Sequence, residues 1–182
     1  RHRADGGPAY ISCDGKTTMW YFHGAPHRAD GPAIIKVGKY CAWYCNGRLH
    51  RDGAPAIEHE NGTREWYRHG ARYRANDEAV VEHADGTREW SDELAGCVDS
   101  IGSLVDGKYY SHPHRDGDNP AVIHADGECR WYERGKLQRD YGPAIMCADG
   151  MRQWKCGWAL MTWSKYKREN PLCRSISNMF FH

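Results

Sequence analysis

The large apolar residues of this chain recur at a nearly constant spacing and do not form long apolar runs. Trp20, Trp43 and Trp66 lie 23 residues apart, as do Trp131 and Trp154. A glycine stands four positions after the tryptophan at Gly24, Gly47, Gly70 and Gly135. An arginine stands eight positions after it at Arg28, Arg51, Arg74 and Arg139. Self-similarity at such a period is typical of repeat architectures, so we expect an array of short units.

Each unit contains a dipeptide that favours a tight turn between two short runs with β-branched residues. These dipeptides include Asn61-Gly62, Asp85-Gly86, Asp126-Gly127 and Asp149-Gly150. They tolerate the positive φ angles of a type I′ turn and therefore predict hairpins closed by two-residue loops. Counting outward from the loops pairs Trp66 with Ile57, Trp90 with Val81, Trp131 with Val122 and Trp154 with Ile145. Every tryptophan is thus expected to face a β-branched residue.

The predicted fold class is all-β, an elongated, solenoid-like array of stacked β-hairpins over residues 1–157. A single hairpin cannot cover its own apolar face, so it must stack on its neighbour. The pattern fails over about residues 91–114, an irregular insertion that we interpret either as a binding loop or as a drifted unit. Residues 158–182 are expected to form a partly helical cap, because their apolar residues have amphipathic helical spacing. A partner-binding helix is the alternative for this segment.

Charge and composition argue against nucleic-acid binding and membrane insertion. The formal net charge of +1 at pH 7 gives no general attraction to nucleic acid or to a membrane. No apolar run is long enough for membrane insertion, and no signal peptide opens the sequence. Eight cysteines without a CxxC pair favour reduced thiols and a cytoplasmic location.

Motifs of known enzyme chemistry are absent from the sequence. It contains no GxxxxGK[ST], GxSxG or HExxH pattern and no deaminase pairing of HxE with PCxxC. Its abundant polar residues recur from unit to unit, whereas a catalytic site needs particular side chains once. We therefore predict neither an enzyme nor a cofactor.

The candidate binding residues are the arginines that close each unit, together with polar residues of the irregular segment. The arginines are Arg28, Arg51, Arg74, Arg115 and Arg139. The irregular segment adds Tyr109, Tyr110, His112 and His114. Guanidinium groups recognise phosphate and carboxylate, which is one interpretation of the arginines. The other is that each arginine ties down its own loop through the aspartate beside it and backbone carbonyls.

A column of residues seven positions before the tryptophans contains the weak metal-ligand candidates. Its members are His59, His83, His124 and Cys147. Imidazole and thiolate bind zinc or copper, so a metal on this column is conceivable. Arginines are predicted opposite most of these positions, at Arg64, Arg88 and Arg152. Cations there oppose metal binding, so we expect ordinary polar pairs and no metal site.

The unit resembles a known repeat. The stretch Trp43-Tyr44-Cys45-Asn46-Gly47-Arg48-Leu49-His50 resembles the MORN repeat and its variant, which has a similar period and opens with an aromatic pair. The family's His-Gly is replaced here by His-Arg or Tyr-Arg, with an added Asp-Gly-Pro-Ala. The resemblance covers about residues 3–157. It implies elongated, twisted sheets of hairpins used for protein association, in a subtype associated with bacteriophages, giant viruses and some bacteria.

The leading functional hypothesis is a non-enzymatic repeat scaffold that mediates protein-protein interaction, with a viral accessory or virion-associated component as one form of it. The partner is expected to meet either the aromatic face or the central loop. The alternative is a small-molecule or nucleotide-sequestering protein, such as a phage inhibitor of a host defence system, that uses repeated arginines and ring faces. Open β edges also favour self-association.

Overall fold

A computed structural model describes residues 6–91, 113–156 and 159–169 of the chain. These residues form antiparallel β-hairpins, with one short helix near the C-terminal end. The chain divides into two compact units, residues 1–112 and 113–182. Most of the predicted insertion, including Tyr109, Tyr110 and His112, lies outside the described residues.

Fourteen short strands make up the described part of the first unit. They are β1 (Tyr10–Ile11), β2 (Thr17–Met19), β3 (Tyr21–Phe22), β4 (Ala25–Pro26), β5 (Ile34–Lys36), β6 (Tyr40–Ala42), β7 (Tyr44–Cys45), β8 (Arg48–Leu49), β9 (Ile57–His59), β10 (Arg64–Glu65), β11 (Tyr67–Arg68), β12 (Ala71–Arg72), β13 (Val81–Glu82) and β14 (Arg88–Glu89). Eight of them pair side by side in the order β1-β2-β5-β6-β9-β10-β13-β14. The other six form the small ladders β3-β4, β7-β8 and β11-β12.

The second unit has the same two kinds of ladder. Its elements are β15 (Val122–Ile123), β16 (Cys129–Arg130), β17 (Tyr132–Glu133), β18 (Lys136–Leu137), β19 (Ile145–Met146), β20 (Arg152–Cys156), β21 (Ala159–Met161) and α1 (Trp163–Glu169). Strands β15, β16, β19, β20 and β21 pair in that order, and β17 pairs with β18.

The turns of the larger hairpins differ from those predicted. At Asn61-Gly62 only the glycine has a positive φ, of 93°. The His59 amide donates to the Thr63 carbonyl at 2.9 Å, and the Gly62 amide donates to the His59 carbonyl at 3.0 Å. This is a three-residue loop with a left-handed glycine bulge, one residue longer than a type I′ loop.

The longer loop shifts the register by one residue. Ile57 pairs with Glu65, Val81 with Glu89, Val122 with Arg130 and Ile145 with Gln153. The predicted pairing of each tryptophan with a β-branched residue was therefore wrong. Because side chains alternate between the two faces of a strand, the shift changes the cross-strand neighbours of every residue in the hairpin.

Type I′ turns occur instead just after the tryptophans. Both residues have positive φ in His23-Gly24, Asn46-Gly47, His69-Gly70 and Arg134-Gly135. These turns close the small ladders, as in the pairing of Phe22 with Ala25. The residues that follow these tryptophans thus form a second, smaller hairpin. Successive small hairpins touch, because the Gly47 amide donates to the Pro26 carbonyl at 2.8 Å.

The core is a thin layer of large rings and small residues. Trp66, Trp90 and Trp131 are buried, and four alanines are completely buried: Ala33, Ala56, Ala121 and Ala144. Among the described residues no large side chain is fully buried. The tryptophan rings therefore remain near the surface and need a cover from polar neighbours.

The chain ends its described part with a strand and a helix. Met161 pairs with Trp154, and burial alternates along β21 with Leu160 exposed and Met161 buried. The predicted short C-terminal helix is confirmed, but it does not include these residues, whose burial alternates with the period of two of a strand. The helix begins at Trp163, whose ring lies 5.0 Å from that of Trp154. No helix among the described residues is long and apolar enough to cross a membrane.

We predict that Gly47→Ala destabilises the protein more than Gly24→Ala. Both glycines have φ above 80°, so each substitution costs about 1–2 kcal/mol of backbone strain. A Cβ at Gly47 would also lie 3.2 Å from the Ala25 Cβ of the preceding small hairpin, whereas a Cβ at Gly24 meets nothing within 4 Å. Urea unfolding of both variants measures the difference, and equal losses would contradict the stacking of small hairpins.

Candidate functional site

The repeated arginines lie against tryptophan rings. The guanidinium carbon is 4.1 Å from the ring centroid for Arg28 on Trp20, 3.8 Å for Arg51 on Trp43, 3.8 Å for Arg74 on Trp66 and 4.1 Å for Arg139 on Trp131. A guanidinium group over an indole face is attracted by the ring quadrupole and excludes water from it. These arginines therefore complete the thin core.

The polar ends of the same arginines bind groups of neighbouring loops and strands. Arg51 donates to Glu58 at 2.7 Å and to the Pro55 carbonyl at 3.2 Å. Arg74 donates to Glu82 at 2.6 Å, and Arg28 pairs with Asp30 at 3.0 Å. A phosphate or carboxylate ligand would have to compete with these contacts. The arrangement matches the loop-tying interpretation better than a row of binding arginines.

Histidines beside these arginines hold the next small hairpin, a role that the sequence did not suggest. The Nδ1 atom of His27 accepts from the Asn46 amide at 3.2 Å, and that of His50 accepts from the His69 amide at 3.4 Å. His114 accepts in the same way from the Arg134 amide at 3.4 Å. Each imidazole therefore satisfies a backbone amide in the turn of the next small hairpin.

In the first unit, the two histidines of the metal-ligand column each pair with a carboxylate. The Nε2 atoms of His59 and His83 lie 2.8 Å from Glu65 and Glu89. Glu65 also receives Arg72 at 3.3 Å and the Tyr67 hydroxyl at 3.0 Å. Burial raises the pKa of Glu65, but the hydrogen bond from His59, the Arg72 charge and the Tyr67 hydroxyl outweigh burial and lower the pKa overall.

The second-unit members of the column are His124 and Cys147. The His124 Nε2 atom is buried without a hydrogen bond, 3.8 Å from Glu128. Burial and the Glu128 carboxylate raise the pKa of the Cys147 thiol, which favours the thiol over the thiolate that binds metals. Among the described residues no group of three or more His, Cys, Asp or Glu side chains could hold a metal ion.

A cavity of about 340 Å³ lies in the second unit between two loops, residues 114–119 and 138–141. Trp131 and the two residues of β17 also line it. Three predicted binding residues, His114, Arg115 and Arg139, come together in its wall. The other predicted arginines, Arg28, Arg51 and Arg74, belong to the first unit.

Arg139 fixes the geometry of this cavity. Its Nε and Nη2 atoms donate to both carboxylate oxygens of Asp118 at 2.6 and 2.5 Å, in a bidentate pair. The Trp131 indole donates to the Asp118 carbonyl at 3.1 Å. A Cβ at Gly142 would lie 2.8 Å from the Arg139 guanidinium carbon, so glycine makes room for the pair. The pair thereby joins the two loops.

The remaining charges of the cavity are acidic. Its lining has four carboxylates and two guanidinium groups, a formal balance of −2. Asp116 contacts the His114 Nε2 atom at 3.1 Å, while Glu133 and Asp140 accept from the Gln138 amide at 3.1 and 3.4 Å. Among the described residues, these three carboxylates therefore have no ion pair with Arg or Lys.

Sequence analysis missed Asp118, Asn119 and Tyr141 as site residues. The sequence did mark these residues, because they differ from the residues at the same positions of the other loops. The loop after Arg115 reads Asp-Gly-Asp-Asn-Pro where the loop after Arg51 reads Asp-Gly-Ala-Pro, and Tyr141 stands where the other loops have Asp30 and Gly53.

No family model, curated protein or solved structure matches this chain.

We predict that Arg74→Lys lowers the free energy of unfolding by about 1–2 kcal/mol, because lysine cannot stack flat on Trp66 and also reach Glu82. Arg48→Lys is the matched control, since Arg48 is exposed, and should change stability by less than about 0.5 kcal/mol. Urea unfolding measures both. An Arg74→Lys variant as stable as the control would show that the arginine does not cover the core.

We predict that the stabilising effect of Glu65 disappears in acid. Its folded pKa lies below the ordinary value of 4.5, so the carboxylate stabilises the fold above that value, and the effect is lost as the pH falls through the folded pKa. Wild type should exceed Glu65→Gln in unfolding free energy at pH 7, with the gap closing below about pH 4. Glu60→Gln, at an exposed position, is the control. A gap independent of pH would argue against this.

Proposed function

We propose that this protein is a non-enzymatic scaffold, a solenoid-like array of hairpins that binds a partner protein through the second-unit cavity. The observation that carries the proposal is a contrast in how polar residues are used. Along the hairpins, the recurring arginines and histidines bind rings, carboxylates and amides of the chain itself. In the cavity, two carboxylates and one aromatic ring that break the pattern, those of Asp118, Glu133 and Tyr141, remain at the surface.

The periodic contacts are therefore structural, and the departures from them supply the binding surface. A loop that deviates from a rigid scaffold is a common place for recognition. Resemblance to the MORN repeat, whose arrays are generally used for protein association, supports the same proposal. Catalysis receives no comparable support, because the described lining of the cavity has no serine, threonine, cysteine or lysine that the His114–Asp116 pair could activate as a nucleophile.

Nucleotide sequestration by repeated arginines has less support. The arginines that stack on tryptophan already have a ring against one face of the guanidinium group and a carboxylate at its edge. A phosphate would also meet an acidic balance in the cavity. This alternative requires nucleotides to raise the melting temperature, since a ligand of the folded state stabilises it.

The test compares three immobilised baits in an extract of the native cells: wild type, Tyr141→Ala, and Tyr21→Ala from a small ladder of the first unit. We expect a protein retained by wild type and Tyr21→Ala but lost from Tyr141→Ala. Nucleotides should leave the melting temperature unchanged. Identical capture by all three baits, or stabilisation by a nucleotide, would overturn the proposal. Unfolding curves of the variants establish that all three baits are folded.

A further inference from the structure

We propose that the second-unit cavity receives a basic side chain, lysine or arginine, from the partner protein. The inference rests on the proposed function and names the chemistry of the contact. It is carried by two independent features of the cavity, its unbalanced carboxylates and an exposed ring at its edge.

The carboxylates favour a cation. Arg139 is committed to Asp118 in a bidentate pair, and Arg115 donates to the Pro120 carbonyl at 3.4 Å. Among the described residues, Asp116 contacts the His114 imidazole, and Glu133 and Asp140 accept from the Gln138 amide, so none of the three pairs with Arg or Lys. An ammonium or guanidinium group between the loops would therefore gain charge-assisted hydrogen bonds without displacing an existing ion pair.

The exposed ring is the second feature. Tyr141 is 64% exposed and belongs to the cavity lining. The fold does not require an aromatic residue at this position, because the corresponding loops have Asp30 or Gly53 there. A tyrosine face beside carboxylates attracts a cation through its quadrupole and packs against the aliphatic stem of lysine or arginine. Exposed tyrosines are also frequent anchors of protein interfaces.

The accessibility of the site favours a side chain over a free small molecule. The side chain of Asp116 is fully exposed and that of Asp118 is 58% exposed. A small ligand is normally buried over most of its surface, whereas these carboxylates would leave it largely in water. A partner surface that presents a basic side chain would cover them.

The experiment is a titration of the labelled full-length chain, followed by NMR, with three peptides that differ at one position: Gly-Ser-Lys-Ser-Gly, Gly-Ser-Arg-Ser-Gly and Gly-Ser-Gln-Ser-Gly, each capped at both ends. We expect saturable shifts at Tyr141 and Trp131 with the lysine or arginine peptide and none with the glutamine peptide. Capped lysine alone should bind at least about threefold more weakly than its peptide if the cation comes from a polypeptide.

Variants distinguish binding through the cavity charges from nonspecific binding of the peptides. Combining Glu133→Gln with Asp140→Asn should weaken peptide binding at least about threefold, as should raised salt. Asp52→Asn, at the equivalent exposed aspartate of a first-unit loop, should leave it unchanged. Equal binding of all three peptides, no shifts at the cavity, or an unaffected double variant would overturn the inference. Spectra of the variants show whether they are folded.

The outcome is distinguishable from failure of the proposed function. If the captured partner is lost with Tyr141→Ala but retained by the Glu133→Gln, Asp140→Asn variant, the scaffold function stands and the cationic contact is wrong. If all baits capture the same proteins, the proposed function fails whatever the peptides do.

Discussion

The stacking of arginine on tryptophan is the interaction on which the rest of this structure depends. A single layer of two-residue and three-residue strands can place small residues such as Ala33 and Ala56 beside an indole, but it cannot surround the ring. The guanidinium group supplies the missing cover, since it is flat, weakly hydrated and able to bind carboxylates at its edge. The constant eight-residue separation of the two side chains follows from this requirement.

Sequence periodicity predicted the all-β class and the antiparallel hairpins, but it could not predict the register. The two Asn-Gly dipeptides show why. Asn46-Gly47 forms a type I′ turn with positive φ at both residues, whereas at Asn61-Gly62 only the glycine has positive φ and the loop is one residue longer. The same dipeptide satisfies both turns, so the choice is made by the contacts of the flanking strands. A local pattern cannot report those contacts.

The candidate site was partly predictable for a similar reason. Arg115 and Arg139 stand out in the sequence because they occupy recurring positions, and His114 because it belongs to the irregular segment. Their meeting depends on the pairing of strands from two hairpins, which joins loops more than twenty positions apart. Asp118 and Tyr141 carry the cavity's distinctive chemistry, yet a search for recurring residues passes over them because they are departures from the pattern.

Recurring polar residues are often taken as evidence of a repeated binding site, and the hydrogen bonds here argue for a different cause. His50 is the clearest case, since its Nδ1 atom accepts from the His69 amide and its ring stacks on the His69 ring at 4.3 Å. The same kind of turn amide needs an acceptor in several of the small hairpins, and a histidine returns there at positions 27, 50 and 114. A polar residue that recurs in this way has a structural role. A binding surface is better sought where a loop has a residue that differs from its counterparts in the other loops, such as Tyr141.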